Sequence, residues 1–189
     1  DYVVLGVGQT QTRKGIIDFC KVAEMNPHMK FIWAGGFSFG KITAGYDEIK
    51  KLIDNPPKNM TFLGIIDRSK MNALYNLSDV LFLPSFQELF PMTLLECINT
   101  EKPFVVRDLD LYKDIFLSPY IVGTNNEEFS GLLNRLKDDE VFLQQAQQYS
   151  IDIQHFYSKE HVKELWRKYY LRIYDKYPAK TLAYKKTKK

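Results

Sequence analysis

The sequence predicts a doubly wound α/β domain, a parallel sheet with helices on both faces. Three observations carry that prediction. Apolar runs of strand length alternate regularly with helical patterns, the strand runs are continuously apolar, and turn residues punctuate the changes. Strands are expected at residues 2–8, 29–35, 60–64, 80–84, 103–107 and 120–122. Strands covered on both faces need apolar residues at every position, which removes the period of two. Helices are expected near 14–24, 46–54, 69–77, 92–99, 111–116 and 127–136. Asn26-Pro27, Asn55-Pro56-Pro57 and Thr124-Asn125-Asn126 supply the breaks.

The bulk properties agree with one Rossmann-like domain over residues 1–154 and a smaller extension over 155–189. A chain of 189 residues with 45% hydrophobic and 14% aromatic residues can bury a full core, which excludes disorder. No apolar run reaches the ~20 residues that span a bilayer, and no signal peptide is visible. Cys20 and Cys97 fall on apolar helical faces with no metal-ligand spacing, so they read as buried hydrophobes in a reducing, cytoplasmic setting. The chain opens on Asp1 and runs at once into a strand pattern, which reads as part of a longer protein.

The net charge of +3 is unevenly spread. Residues 155–189 hold eleven Lys and Arg against Glu160, Glu164 and Asp175, a local +8 that leaves the preceding residues at −5. A final helix from 158 to about 177 sets Val162, Leu165, Trp166, Tyr169 and Ile173 on one stripe. The stripe is expected to pack on the core. The basic face, with Tyr184 and the last lysines, also suits an anionic membrane surface. Nucleic acid fits less well, because no recognisable binding module accompanies the charge.

In a doubly wound sheet, ligands bind beyond the carboxyl ends of the strands, so chemistry is sought in those loops. The first, G-V-G-Q-T-Q-T-R-K-G from Gly6 to Gly15, is neither G-x-G-x-x-G nor a P-loop. It places Arg13 and Lys14 at a helix start, where cations oppose the macrodipole unless an anion joins them. Solvated surface charge is the other reading. The second strand ends in Gly35-Gly36, which permits close approach of a ligand or merely makes a turn. The segment 37–45 that follows is long enough to form a flap.

The fourth loop, L-P-S-F-Q-E-L-F-P-M-T-L-L-E, puts Glu88 before a helix and Glu96 about five residues inside it, ~7.5 Å further along. Pro91 suits the first turn. Two carboxylates so spaced can reach different parts of one elongated ligand, with free N–H groups near Met92 and Thr93 facing an anion between them. A solvated helix face would give Glu96 the same spacing.

Together these loops resemble the carboxyl-terminal domain of family 4 glycosyltransferases of the GT-B fold. Gly8, Lys14 and Gly15 match that family's first loop, with Gln9 in place of its arginine. Pro84, Ser85, Glu88, Phe90 and Glu96 match the fourth, with Pro91 for glycine and Cys97 for alanine. The F-L-G-I-I segment from Phe62 to Ile66 and the pair Pro103-Phe104 match two further strands. The stretches G-Q-T-Q-T-R-K-G, W-A-G-G-F-S-F-G-K-I-T, E-L-F-P-M-T-L-L-E and R-D-L-D-L-Y-K are similar to bacterial synthases that glycosylate diacylglycerol or glucosyl-diacylglycerol.

The resemblance implies a retaining hexosyltransferase with UDP-glucose or UDP-galactose as donor and a glycolipid acceptor, on the inner face of the cell membrane, with no cofactor or bound metal. It implies Lys14 on the donor diphosphate, Glu88 on the transferred sugar, Glu96 on the ribose, Ile66 on the uracil, and Met92 and Thr93 on the distal phosphate. Gly8, Gln9, Arg13, Gly35 and Phe90 complete the expected donor site, and whether Arg13 substitutes for the arginine missing at Gln9 stays open. An amino-terminal domain, towards which the last helix crosses back in that fold, would supply most of the acceptor site, so this chain alone is expected to bind donor weakly and transfer nothing. Glu101 stands where relatives carry the glycine that ends the helix. A glycosidase using Glu88 and Glu96, and a non-catalytic nucleotide-binding module, are the rival readings. A cation beside the carboxylates counts against the first.

Overall fold

The computed structural model describes residues 1–177; Tyr184 and the final lysines lie outside the described residues. The chain divides into two compact units, Asp1–Gln154 and His155–Lys189.

The first unit is built on six parallel strands: β1 (Tyr2–Val7), β2 (Met29–Ala34), β3 (Met60–Gly64), β4 (Val80–Leu83), β5 (Phe104–Arg107) and β6 (Ile121–Gly123). Their spatial order is β3-β2-β1-β4-β5-β6. The chain builds one half outward from β1 and then returns to lay β4 on its other side. The order therefore reverses between β1 and β4, which opens a crevice at their carboxyl ends. The central strands β4 and β5 are buried at every residue, whereas the edge strands β3 and β6 alternate, because one flank of an edge strand meets solvent.

Helix α1 (Ile16–Met25) buries Ile16, Phe19, Cys20 and Ala23, the i, i+3, i+4, i+7 stripe of a core-facing helix. Phe19 is its anchor, meeting Phe31 and Trp33 edge-on and stacking on Phe82, with ring centroids 5.1–5.4 Å apart. Both cysteines are buried and free, and burial pushes each thiol up to about 12, so neither offers a thiolate near neutrality.

The remaining helices are α2 (Tyr46–Asp54), α3 (Arg68–Leu77), α4 (Met92–Ile98), α5 (Asp110–Ile115), α6 (Asn126–Asp138), α7 (Glu140–Phe156) and α8 (Lys159–Lys176). The expected strands at 2–8, 29–35, 80–84 and 103–107 are each one residue too long, and the last lies at 121–123 instead of 120–122. The first helix begins later than expected. Thr12–Lys14 form a 3-10 turn, Gly15 takes a left-handed conformation (φ 70), and α1 starts at Ile16. Lys14 thus sits in the turn before the helix, and a Cβ at position 15 would overlap the Pro84 carbonyl.

Helix α7 has no counterpart among the sequence expectations. It buries Ala146, Ser150 and Ile153 at i, i+4 and i+7, but two of the three are small or polar, so the apolar period is silent. Its Ser150 hydroxyl donates to the Lys102 carbonyl at 2.9 Å. Helix α8 lies in the second unit; none of its residues is buried, and Leu165, Trp166 and Tyr169 of its stripe are exposed. Trp166 stacks on Tyr170 along the helix, centroids 5.7 Å apart.

After α4 the chain turns through Glu101, a non-glycine residue with φ 59. Its N–H donates to the Ile98 carbonyl and that of Thr100 to Cys97. The turn is thus made without the glycine, at the steric cost of a β-carbon in the left-handed region. Glu101→Gly should raise unfolding stability by about 1 kcal/mol, read as a higher denaturation midpoint in urea with unchanged slope.

Candidate functional site

The site forms where the loops after β1, β2, β3 and β4 converge at the carboxyl edge of the sheet. Gly8, just past β1, donates its N–H to the Ala34 carbonyl at 3.0 Å and accepts from the Trp33 indole at 3.2 Å. Gly35 donates to the Gly64 carbonyl at 2.8 Å. Its φ of 146 and its closeness to Gly8 forbid a side chain, since a Cβ there would overlap the Gly8 carbonyl oxygen. Gly35 is therefore a point of close backbone approach between two loops and not an ordinary turn.

These loops bound a cleft of about 270 Å³ lined by Gly8, Gln9, Gly35, Ser38, Ile66 and Glu96 among others. Five of the residues singled out from the sequence, Gly8, Gln9, Gly35, Ile66 and Glu96, meet there. A second hollow of about 240 Å³ adjoins it, sharing Met71 and Glu96 and adding Arg68, Asn72, Tyr75 and Asn99. Glu96 thus stands between the two. The buried Tyr75 hydroxyl donates to Glu96 Oε2 at 2.9 Å, and Arg68 lies 4.0 Å from Oε1. Burial, and then that hydrogen bond, push the Tyr75 phenol well above its ordinary value, so it is a donor throughout the neutral range.

Lys14 and Glu88 form the second feature. Lys14 Nζ lies 2.7 and 2.8 Å from the two oxygens of Glu88, whose side chain is only 6% exposed. The pair ties the turn after β1 to the loop after β4, bridging the place where strand order reverses. Burial, followed by the negative charge of Glu88, raises the phenol of Tyr112 on α5.

Arg13 leans the same way. Its Nε donates to Gln11 Oε1 at 2.9 Å, its Nη1 reaches the Gln87 carbonyl at 3.4 Å, and its own carbonyl accepts from Phe86 N–H at 2.8 Å. Gln9 accepts from the Gln11 amide at 2.7 Å. Neither Lys14, Glu88 nor Arg13 lines the 270 Å³ cleft. Phe90, Met92 and Thr93 do not line it either, and Phe90 and Met92 are exposed. The expected free N–H at Met92 is not free, since it donates to the Phe90 carbonyl at 2.9 Å in a tight turn. The φ of −80 and ψ of 85 at Pro91 close that turn instead of starting the helix.

Sequence reasoning missed Tyr75, Met71 and Arg107. Arg107 ends β5 almost buried. It donates to the Pro84 carbonyl at 3.0 Å and the Thr124 carbonyl at 2.8 Å, pairs with Asp18, and lies 4.0 Å over the Phe86 ring. It thereby holds the start of the segment from which Glu88 hangs. The available signal was a lone arginine closing the apolar run F-V-V-R. Among the described residues no cluster of His, Cys, Asp and Glu could hold a metal ion, and no helix is long and apolar enough to cross a membrane.

The profile of Glycosyl transferases group 1 matches residues 1–153. The chain belongs to this family. Among curated glycosyltransferases, it is 43% identical over 169 residues to the alpha-galactosylglucosyldiacylglycerol synthase of Streptococcus pneumoniae, covering 89% of this chain and 45% of that protein. It is 38% identical over 136 residues to the processive diacylglycerol alpha-glucosyltransferase of Acholeplasma laidlawii, covering 71% of this chain and 40% of that protein. The chain spans less than half the length of either relative.

Solved structures share the fold at low identity. Anabaena HepE in complex with UDP-glucose superposes with a TM-score of 0.74 at 17% identity, covering 93% of this chain and 49% of that one. The sucrose-phosphate synthase of Thermosynechococcus elongatus gives 0.77 at 17% identity, covering 93% and 46%. The sheet and its flanking helices are those of the carboxyl-terminal domain of GT-B glycosyltransferases. The group 1 match contains every residue named in the two hollows and the Lys14–Glu88 pair.

A buried ion pair makes a direct stability prediction. Lys14→Met leaves the Glu88 charge unpaired and should cost about 3 kcal/mol in chemical denaturation. The double variant Lys14→Met, Glu88→Met should recover at least half of that, because no lone charge remains.

Proposed function

We propose that this chain is the UDP-sugar-binding domain of a retaining glycosyltransferase that moves glucose or galactose from a UDP-sugar to a membrane glycolipid acceptor, diacylglycerol or its glucosylated form. The observation that carries the reading is the convergence of Gly8, Gly35, Ile66 and Glu96 on one cleft beside the switch point. The Lys14–Glu88 pair joins the loops that flank the same point. The names of the two glycolipid-synthase relatives, and the UDP-glucose held by HepE, support the donor and acceptor classes.

In this reading the nucleotide enters the cleft where the backbone comes closest. Glycines at positions 8 and 35 leave main chain exposed to the ligand, Ile66 meets the base through its backbone, and Glu96 accepts from ribose hydroxyls. Lys14 has three N–H bonds, and Glu88 engages two of them, which leaves one to aim at the diphosphate. A cation held in advance where charge grows on a leaving group lowers the barrier without reorganisation. Glu88, fixed by Lys14, then accepts from the hydroxyls of the transferred sugar, and Arg13 and Phe90 stand on the same loops. Met92 and Thr93 can serve the distal phosphate only if the Phe90–Met92 turn opens. The donor is a substrate, and the proposal includes no cofactor or metal.

The glycosidase reading loses ground on geometry. Both oxygens of Glu88 face the Lys14 ammonium, an arrangement that suits a fixed hydrogen-bond acceptor better than the proton donor a glycosidase needs. A lipid acceptor gives the basic end a purpose. The exposed aromatic residues of α8 with their neighbouring lysines and arginines suit an anionic membrane surface, at about 1 kcal/mol per basic residue. The enzyme would then work peripherally on the inner face of the membrane.

Calorimetric titration of the chain with UDP, UDP-glucose and uridine tests the reading. UDP and UDP-glucose should bind, and Lys14→Ala should weaken UDP by roughly tenfold to a hundredfold while leaving uridine unchanged. A folded chain that binds no UDP would sink the proposal.

A further inference from the structure

Glu96 is the fifth residue of α4, and its side chain is 36% exposed, so nothing in its own helix fixes which oxygen faces the nucleotide. The fix comes from α3. Arg68, Met71 and Tyr75 lie at i, i+3 and i+7, one stripe of that helix, and all three reach the hollow beside Glu96. The helix start is pinned by Asp67, whose carboxylate accepts from the Ser69 N–H at 2.8 Å. Tyr75 is 2% exposed, so its ring is held by packing and its hydroxyl has a fixed origin. That hydroxyl has a single proton, given to Oε2. Arg68 at 4.0 Å is beyond hydrogen-bond reach of Oε1 and is itself almost fully solvated, so Oε1 keeps its accepting capacity.

We propose that Tyr75 is a positioning residue that claims Glu96 Oε2, leaves Oε1 to accept from the ribose hydroxyls, and so sets the preference of the site for ribonucleoside over deoxyribonucleoside diphosphates. This rests on the reading of Glu96 as the ribose acceptor. Burial keeps the phenol protonated, so the arrangement does not change across the neutral pH range. A freely rotating carboxylate offers the same two acceptors with neither held in place. Anchoring one removes an entropic cost from nucleotide binding.

The test titrates the chain with UDP and with 2′,3′-dideoxy-UDP, with thermal melting as the control for folding. Wild type should favour UDP. Tyr75→Phe should weaken UDP by about tenfold and leave the dideoxy ligand within about twofold, and it should have no further effect in a Glu96→Ala background. Glu96→Gln gives a second readout that does not depend on the stability of the Tyr75 variant. If Tyr75 claims the amide oxygen, the NH2 group is forced towards the ribose, where it can donate but not accept, and Glu96→Gln should bind UDP clearly more weakly than wild type. Near-wild-type UDP affinity in Glu96→Gln, equal losses of both ligands in Tyr75→Phe, or no loss at all would overturn the inference. Absence of UDP binding, or of any preference for UDP, in the wild-type chain would instead overturn the donor-site reading and take this inference with it.

Discussion

The Lys14–Glu88 ion pair is the contact on which the site's architecture turns. The two residues are seventy-four positions apart, one in the turn that follows β1 and one in the loop that follows β4. Those strands are neighbours only because the chain reverses direction across the sheet at this point. An ammonium and a carboxylate both taken largely out of water repel the interior unless they meet with good geometry. Lys14 meets both oxygens of Glu88, so each charge satisfies the other and the two loops are drawn together. Arg107 reinforces the arrangement from below. Its guanidinium binds the Pro84 and Thr124 carbonyls and the Asp18 carboxylate, which fixes the root of the loop that bears Glu88.

The glycines complete that constraint. Gly15 lets the turn after β1 reverse into α1 directly against Pro84, and Gly35 lets the loop after β2 rest on Gly8. Each removes a β-carbon where two backbones touch, and each position brings a loop of one half of the sheet into the neighbourhood of the cleft. The result is a cleft bounded by main chain at Gly8, Gly35 and Gly36, with the Glu96 carboxylate on its lining.

Much of this was legible in the chain because the relevant signals are local. The strand runs are apolar without a period of two, and strands buried on both faces demand that. Gly8 and Gly35 lie just past strand ends, and Glu88 and Glu96 follow a buried strand within one loop and helix. The failures are equally physical. Helix α7 buries alanine and serine, which carry no apolar period. Met92 has its N–H taken by Phe90, a turn that no spacing rule announces. The stripe on α8 has the period of an apolar helical face, and period alone does not name what covers it.

Local sequence signals specified the fold class, the positions of six strands to within a residue or so, the loops that gather at the carboxyl edge of the sheet, and membership of a glycosyltransferase family through motifs in order. The pairing of those loops belongs to the tertiary structure. Which oxygen of Glu96 is held, that Lys14 rests on Glu88, and that Arg107 supports the loop between them are contacts between residues tens of positions apart. Hydrophobic periodicity and turn chemistry act over a few residues, whereas an ion pair or a buried hydroxyl finds its partner only after the sheet has placed the strands side by side.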